Sequence, residues 1–389
     1  MKKKYILLFT IIILLIICGI LIKITLDKKE EKPIIIEEEN KNEKEVIDNL
    51  VYQYDQDVYL NEIIEIDSQD KLDTQTLGDR SLDIENYTIN YKVVDTKKPI
   101  IGGSSTVKVE KGKSINLVNK FMCGDNYDDK PKCYIEGEYD LNTLGTYDLT
   151  YIAEDSSGNK STKKFKLKVI NKTTSSSSST VKRTKISEYI KKYKNENTKI
   201  GIDVSAWQDN IDWSKAKKDG VEFAILRIGY GHTNSGELKL DNWFERNIKE
   251  AKKQGIELGV YFYSYAKSEE DARAQAKWIV KKLNGQKLEL PIAFDWENWS
   301  SFNKYNVSFK HLNDIAYAFI DEVKKNDYEG MLYSSAYYLK NIWKDYDKVW
   351  LAYYTDNNDF SKPFNIWQLS SKGKVNGISG SVDIDVLYK

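Results

Sequence analysis

The sequence predicts a multidomain chain with a transmembrane helix, one or more β-sandwich modules and a C-terminal α/β barrel. Three observations predict this fold class: an apolar stretch near the N-terminus, short alternating strands over residues 46–170, and alternating helices and strands beyond residue 186. At 389 residues the chain is too long for one ordinary domain. Its 59 basic residues balance 59 acidic residues, so electrostatic capture of nucleic acid is not indicated.

The N-terminal stretch has the length and composition of a membrane anchor. Three lysines at positions 2–4 precede residues 5–22, which carry no charge, and a snorkelling Lys23 would extend the apolar stretch. At about 1.5 Å per residue, this length crosses a hydrocarbon core of about 30 Å. A cleavable signal peptide is the alternative, but the first alanine is Ala153, so no A-x-A cleavage site follows the stretch. The pattern predicts a cytoplasmic tip with a transmembrane anchor at residues 1–28, followed by a solvated stalk at residues 29–45.

In the middle of the chain, short alternating strands follow one another as they do in β-sandwich modules, and one stretch of sequence partly repeats. Leu77-Gly78 followed by residues 87–95 resembles Leu144-Gly145 followed by residues 147–155, which predicts two units in tandem. Five consecutive serines beyond them are typical of a flexible linker. The predicted boundaries are 46–96 for a degenerate sandwich-like unit, 97–171 for a second module and 172–197 for the linker.

The second module resembles bacterial immunoglobulin-like domains in two motifs, Asp95-Thr96-Lys97-Lys98-Pro99 and Ala153-Glu154-Asp155-Ser156-Ser157-Gly158-Asn159. The resemblance implies a passive spacer, with a ligand-binding module as the alternative. Cys123 and Cys133 suit one short-range disulfide in an oxidising compartment. Two reduced thiols on neighbouring strands are the alternative.

Residues 198–389 predict a closed barrel. Helices separate the earlier strands: one covers residues 242–254 and stops at Gly255, and another is capped by Ser268. The last three strands have short connections with no room for a full helix. The pattern therefore predicts a TIM-like barrel of (β/α)5(β)3 type. The expected strands cover residues 200–204, 223–228, 258–263, 290–294, 331–333, 349–353, 366–369 and 382–386.

Acidic residues recur at the ends of these strands. Asp295 and Glu297 follow an apolar run two residues apart, so they share one face of the strand. Paired carboxylates disfavour each other's charge, and one can keep its proton and serve as a general acid. Two solvated strand-end acids without a function are the alternative. The two histidines, His232 and His311, lack a patterned partner, so we expect no metal centre, no cofactor and no Ser-His-Asp triad.

With these residues in place, the last part of the chain resembles the glycoside hydrolase family 25 lysozymes, the Chalaropsis-type muramidases. The family cleaves the β-1,4 bond between N-acetylmuramic acid and N-acetylglucosamine in peptidoglycan. The resemblance implies a catalytic set of Asp203, Asp295, Glu297 and Asp383. One departure is Asp385, where the family often has Asn; its carboxylate could alter a local pKa or face solvent. The motifs that carry the resemblance are Gly201-Ile202-Asp203-Val204-Ser205, Trp207-Gln208, Leu226-Arg227-Ile228-Gly229-Tyr230-Gly231, Gly259-Val260-Tyr261-Phe262-Tyr263-Ser264, Asp295-Trp296-Glu297, Trp367-Gln368 and Val382-Asp383-Ile384-Asp385.

Two side chains that project in parallel from one strand approach a sugar from one side, which makes Asp295 a poor nucleophile. We therefore expect the substrate's 2-acetamido oxygen to attack, with Glu297 as acid and then base and Asp295 stabilising the oxazolinium cation. Asp203 and Asp383 would hold the hydrogen-bond network. Inversion and direct attack remain alternatives.

Aromatic side chains at strand positions are candidates for a saccharide platform, with core packing as the alternative for each. Arg227 is expected to pair with the barrel carboxylates more than with substrate. The candidates for substrate contact are Tyr261, Tyr263, Tyr353, Trp367 and Arg227.

The expected protein is a lysozyme held in a bacterial cell membrane by a single pass, with its C-terminal domains outside and facing the cell wall. Its expected partners are peptidoglycan and the membrane, and not nucleic acid. Two alternatives are a non-catalytic peptidoglycan-binding surface protein and a chitinase-like hydrolase.

Overall fold

The computed structural model describes residues 44–172, 182–232 and 236–389. The predicted anchor, nearly all of the stalk and the serine run of the linker lie outside the described residues. The described residues form two compact units, one with residues 44–50 and 80–91, the other with residues 51–79 and the described part of 92–389.

Three strands belong wholly or largely to the first unit and form one sheet in the order β1-β3-β2. Within residues 44–96 the structure contains this single sheet, whereas a sandwich has two facing sheets, and the boundaries 46–96 of the predicted unit stay a prediction. The strands are β1 (Glu45–Gln53), β2 (Gly78–Ile84) and β3 (Tyr87–Val94).

The second unit begins with a β-rich immunoglobulin-like module. A four-stranded sheet has the order β5-β9-β8-β7, and a two-stranded sheet pairs β4 with β6. Phe121, Tyr151 and Leu167 are central in the core between them. A disulfide joins Cys123 to Cys133 and so connects β6 to β7. The strands are β4 (Ile100–Gly102), β5 (Thr106–Glu110), β6 (Met122–Gly124), β7 (Lys132–Glu136), β8 (Gly145–Glu154) and β9 (Lys160–Ile170).

The C-terminal part of the second unit is a closed sheet. Its strand order runs β18-β17-β16-β15-β14-β12-β11-β19, and β19 pairs back onto β18. Short strands β10 and β13 add to β18 and β12. The strands are β10 (Thr184–Lys185), β11 (Thr198–Val204), β12 (Phe223–Gly231), β13 (Leu238–Leu240), β14 (Glu257–Tyr263), β15 (Ile292–Asp295), β16 (Gly330–Ser335), β17 (Val349–Ala352), β18 (Ile366–Lys374) and β19 (Val382–Tyr388).

The direction of the closing strand corrects the TIM-like prediction. Strand β19 runs antiparallel to both neighbours, β11 and β18, whereas a TIM barrel has eight parallel strands. The reason is the short connection of residues 375–381, because a parallel return needs a crossover of about a dozen residues or more. The chain therefore closes its barrel with a hairpin.

Side chains pack on both faces of the closed sheet. The outer face packs against helices, and the barrel interior has its own apolar cluster that includes Phe223, Met331 and Trp350. Polar side chains can therefore enter the interior only near the ends of the barrel. The helices are α1 (Ile186–Tyr193), α2 (Trp213–Lys218), α3 (Phe244–Lys253), α4 (Glu269–Leu283), α5 (Phe309–Lys324) and α6 (Ala336–Asn341), with 3₁₀ turns at Leu60–Glu62, Val118–Lys120, Ala206–Gln208 and Trp299–Lys304.

The membrane prediction is corrected as well. None of the helices in the described ranges is long and apolar enough to cross a bilayer. The transmembrane helix and the single-pass localisation are therefore not upheld. Residues 1–28, on which that prediction rested, lie outside the described residues.

Candidate active site

Four of the acidic residues come together at one rim of the barrel. Asp203 stands near the end of β11 and is paired in register with Asp383 of the antiparallel strand β19. Asp295 ends β15, and Glu297 follows it two residues later. The carboxyl ends of the parallel strands and the start of β19 meet at the same rim, where active sites of barrel enzymes lie.

Asp203 is held by an amide whose orientation is fixed. The hydroxyl groups of Tyr333 and Tyr354 both donate to Gln368 Oε1, each at 3.0 Å. The Gln368 Nε2 group is therefore turned towards Asp203 and donates to its Oδ2 at 2.8 Å. This network fixes the carboxyl plane of Asp203, and the sequence did not reveal Gln368, Tyr333 or Tyr354 as members.

Asp385 lies deeper in the barrel, one inward-facing position below Asp383. It is fully buried, and Trp350 Nε1 donates to its Oδ1 at 2.8 Å. Its Oδ2 has no donor if every carboxyl is ionised, whereas a proton shared with Asp203 would satisfy it. Burial and neighbouring carboxylates raise the pKa of both Asp203 and Asp385. Of the two readings that the sequence left open, the structure places Asp385 inside and not facing solvent.

Asp295 and Glu297 form the second acidic pair. Asp295 is buried, and burial followed by the charge of Glu297 raises its pKa well above the usual range. Glu297 is exposed at the rim, but the surrounding protein still removes part of its hydration and raises its pKa. The pair therefore holds a proton towards neutral pH and titrates as one unit. A carboxyl pair of this kind can donate a proton to a leaving group.

Asp383 is the fourth carboxyl group at this rim. Burial, and then the charge of Glu297, raises the pKa of Asp383 to about 6. Since Asp383 also contributes to the raised pKa of Asp203, the two acidic pairs are electrostatically connected across the mouth. No single carboxyl of this set titrates independently of the rest.

Arg227 lies in the barrel interior and pairs with an aspartate that sequence reasoning missed. Its Nη2 lies 2.7 Å and its Nε 2.8 Å from Asp241 Oδ2. Asp241 is 2% exposed and also accepts the backbone N–H groups of Ala206 and Trp243 at 2.9 Å. Asp241 follows the irregular strand β13, so no period-two pattern marked it.

Trp207 is the most exposed aromatic residue near the site. Its side chain is 83% exposed, but its backbone is fixed by a capping box in which Ser205 Oγ accepts the Trp207 N–H at 3.2 Å. It lines an open groove of about 830 Å³ together with Tyr230, Tyr263 and Tyr265. Tyr263 connects this groove to the acids, because Asp295 and Glu297 both raise its pKa after burial does. The groove can hold sugar rings against aromatic faces.

Of the aromatic residues that the sequence suggested, two lie at the mouth and two do not. Tyr261 and Tyr263 point inwards from β14, and nearby carboxylates contribute to the raised pKa of each phenol. Trp367 is 2% exposed in the layer between sheet and helices, and Tyr353 packs against that layer and bonds to Asp359. Trp367 and Tyr353 therefore lie on the outer side of the sheet, and their sugar contacts stay predictions.

Two family models match the chain. The model described as glycosyl hydrolases family 25 matches residues 202–378, and the model of a bacterial surface protein Ig-like domain matches residues 99–169. The first match includes Asp203, Asp295 and Glu297 and ends before Asp383. The predicted hydrolase domain and immunoglobulin-like domain are thereby confirmed.

Individual curated relatives match about half of the chain. YegX, an uncharacterized protein of Escherichia coli O157:H7, is 29% identical over 194 residues, which cover 48% of this chain and 68% of YegX. The autolytic lysozyme of Clostridium acetobutylicum is 26% identical over 198 residues, 48% of this chain and 54% of that protein. Among solved structures, the modular autolysin LytC from Streptococcus pneumoniae with a synthetic peptidoglycan ligand is 27% identical, with a TM-score of 0.45. That match covers 61% of this chain and 56% of LytC, so this chain spans just over half the length of either lysin.

Proposed function

Because the C-terminal barrel is a glycoside hydrolase family 25 domain, we propose that this protein is a lysozyme that hydrolyses peptidoglycan. The bond proposed is the β-1,4 link between N-acetylmuramic acid and N-acetylglucosamine. The observation that carries the proposal is the Asp295–Glu297 pair, which holds a proton at the rim of a groove lined by aromatic residues. The name of the C. acetobutylicum relative, an autolytic lysozyme, supports the same class of activity.

The first proposed step is protonation of the leaving group. The proton that the Asp295–Glu297 pair holds passes through Glu297, exposed at the rim, to the glycosidic oxygen as the bond to the anomeric carbon breaks. The oxygen of the substrate's own 2-acetamido group attacks that carbon and forms an oxazolinium ring. Asp295 is left ionised beside the ring, and its negative charge stabilises the positive charge that develops there.

The second proposed step is hydrolysis of the oxazolinium. Glu297, now ionised, accepts a proton from a water molecule, whose oxygen attacks the anomeric carbon and reopens the acetamido ring. The pair is thereby returned to its starting protonation state. Asp203, which Gln368 orients, and Asp383 hold the hydrogen-bond network and the charge at the mouth in this proposal.

Substrate binding is assigned to the groove. Trp207 and Tyr263 present aromatic faces on which the C–H faces of pyranose rings can stack, and both stand on backbone that is fixed by hydrogen bonds or sheet pairing. Arg227 forms an ion pair with Asp241, and Asp241 also accepts the backbone N–H of Ala206 in the turn that carries Trp207. Arg227 therefore acts by stabilising this turn through Asp241. We place the protein outside the cell, at the cell wall where its substrate lies.

A conservative change of the general acid tests this function. In the full chain, Glu297→Gln should lower the release of soluble muropeptides from purified cell walls by at least about 10²-fold, because an amide cannot donate the proton. Glu270→Gln, on an exposed face of α4, is the matched control and should keep the parental rate. Thermal unfolding of both variants checks that they fold.

Activity of Glu297→Gln within about tenfold of the parent would contradict the assignment. Binding of cell walls by the parent chain, without release of any fragment, would instead favour a non-catalytic surface protein. Release of fragments from chitin but not from peptidoglycan would favour a chitinase-like enzyme.

A further inference from the structure

Three aspartates of the immunoglobulin-like module meet at a point that the proposed catalysis does not use. Asp95 follows β3, Asp125 follows β6 and Asp155 follows β8. Each offers a carboxylate oxygen, and these oxygens lie within 4.8 Å of one another. The residues are 7%, 0% and 6% exposed, so three acids of like charge are buried together.

The cluster has carboxylate oxygens that no protein donor satisfies. Asp95 Oδ2 and Asp125 Oδ2 are buried and have no hydrogen-bond partner. Within the described ranges, none of the ion pairs formed by lysine or arginine involves Asp95, Asp125 or Asp155. Buried charges without partners are costly, which indicates that a positive ligand completes the cluster.

The remaining oxygens are used to orient the three carboxylates. Backbone N–H groups of Tyr127 and Asp128 donate to Asp125 Oδ1 at 2.8 and 2.9 Å. Asn126 Nδ2 donates to Asp95 Oδ1 at 3.0 Å. Asn159 donates to Asp155 from its backbone at 2.7 Å and from its side chain at 2.9 Å. Outer hydrogen bonds of this kind fix metal ligands in place, and they leave one oxygen of Asp95 and of Asp125 unused.

We propose that Asp95, Asp125 and Asp155 bind a calcium ion. The donor set is all oxygen and carries up to three negative charges, which suits a hard divalent cation. Ca²⁺ tolerates irregular coordination by six to eight oxygens, and water or backbone carbonyls can complete its shell, whereas Mg²⁺ requires a near-ideal octahedron. The site gives a physical role to the two motifs that mark this module, which begin with Asp95 and contain Asp155. The proposal differs from the expectation, drawn from the sequence, that the chain has no metal site.

The site lies at the contact between the immunoglobulin-like module and the barrel, inside one compact unit. The carbonyl oxygen of Asp125 accepts the N–H of Phe309 at 2.7 Å, and Asp129 Oδ1 accepts the N–H of Ser308 at 2.8 Å. These two barrel residues begin helix α5, shortly after the segment that carries Glu297. A cation at Asp125 therefore fixes the loop that holds this part of the barrel.

Calcium binding can be measured without any enzymatic readout. The full chain, freed of metal with EDTA and then dialysed, is titrated with CaCl₂ by calorimetry, and its thermal unfolding is followed in excess CaCl₂ and in EDTA. We expect saturable binding and a midpoint higher by about 4 °C or more in CaCl₂, because a ligand of the folded state stabilises it. MgCl₂ should give a smaller shift.

Asp125→Asn tests the site itself. The variant keeps the shape of the side chain and removes one negative charge, so it should fold in EDTA at least as well as the parent and lose the calcium-dependent shift. Asp148→Asn, an exposed position of the same module, should keep the shift. Absence of calorimetric binding by the parent, equal midpoints in CaCl₂ and EDTA, or an undiminished shift in Asp125→Asn would each overturn the proposal. Equal shifts with MgCl₂ and CaCl₂ would overturn the preference for calcium.

Discussion

At the scale of single residues, Asp385 shows how a buried acid shapes the site without touching solvent. It is fully buried, bonds to Trp350 and lies beside Asp203, whose pKa it helps to raise. A carboxyl with a raised folded-state pKa binds its proton more tightly in the folded state than in the unfolded state. Below the unfolded-state pKa of about 4, the group is protonated in both states and does not change the free energy of unfolding. As the pH rises from there to the folded-state pKa, the group increasingly lowers the free energy of unfolding.

Asp385→Asn should accordingly stabilise the protein at pH 7 and not at pH 4. The asparagine can still accept from Trp350 Nε1 and can donate to Asp203, while the penalty of a buried acid is removed. We expect a gain of about 1–3 kcal/mol at pH 7, the cost of a buried polar atom left unsatisfied. Urea unfolding at both pH values measures it, with the exposed Asp148→Asn as control. An equal effect at both pH values would contradict the shared-proton account.

Residue-level sequence reasoning succeeded where period two was unambiguous and failed at strand ends. The pattern predicted the Asp295–Glu297 pair from their spacing. It placed Tyr353 at the mouth, but β17 ends at Ala352, and Tyr354 is the residue that reaches Gln368. Trp367 alternates with the inward-facing Gln368, so the same rule, applied strictly, predicts its outward position. Gln368 and Asp241 act through contacts distant in sequence, which no local pattern contains.

At the scale of elements, the barrel strands were predicted and the direction of the last one was not. Apolar runs marked each strand, whereas the antiparallel course of β19 follows from the short connection of residues 375–381, which the TIM-like prediction did not take into account. Gly201 in β11 shows how tightly the interior is packed. A Cβ at that position would lie 2.5 Å from the ring of Phe223. The glycine of this motif is thus required by the neighbouring strand and not by its own backbone.

Gly201→Ala should therefore destabilise the barrel by about 1–3 kcal/mol, the cost of overpacking a core. Gly145→Ala, in strand β8, is the matched control, because its nearest neighbour would lie 3.8 Å away. Chemical denaturation of the full chain measures both variants. If the two changes had equal effects, close packing in the barrel would not explain the glycine.

At the scale of the whole molecule, the sequence suggested modules separated along the chain, and the structure joins two of them. The immunoglobulin-like module and the barrel share one compact unit, with Asn303 Oδ1 accepting the N–H of Cys123 at 2.8 Å. These two residues are 180 positions apart in the sequence, so no periodic sequence pattern predicts their contact. The membrane-spanning prediction is not upheld: it rested on residues 1–28, which lie outside the described residues, and no helix within the described ranges is long and apolar enough to cross a bilayer.

The identity of the new reducing end tests the central claim most directly. Purified peptidoglycan is digested with the full chain, the fragments are reduced with borohydride, and the reduced sugar is identified by mass spectrometry. The proposed cleavage predicts reduced N-acetylmuramic acid in the parent digest and none with Glu297→Gln. Reduced N-acetylglucosamine, or no soluble fragment from a folded parent chain, would contradict a muramidase driven by the carboxyl groups at this rim.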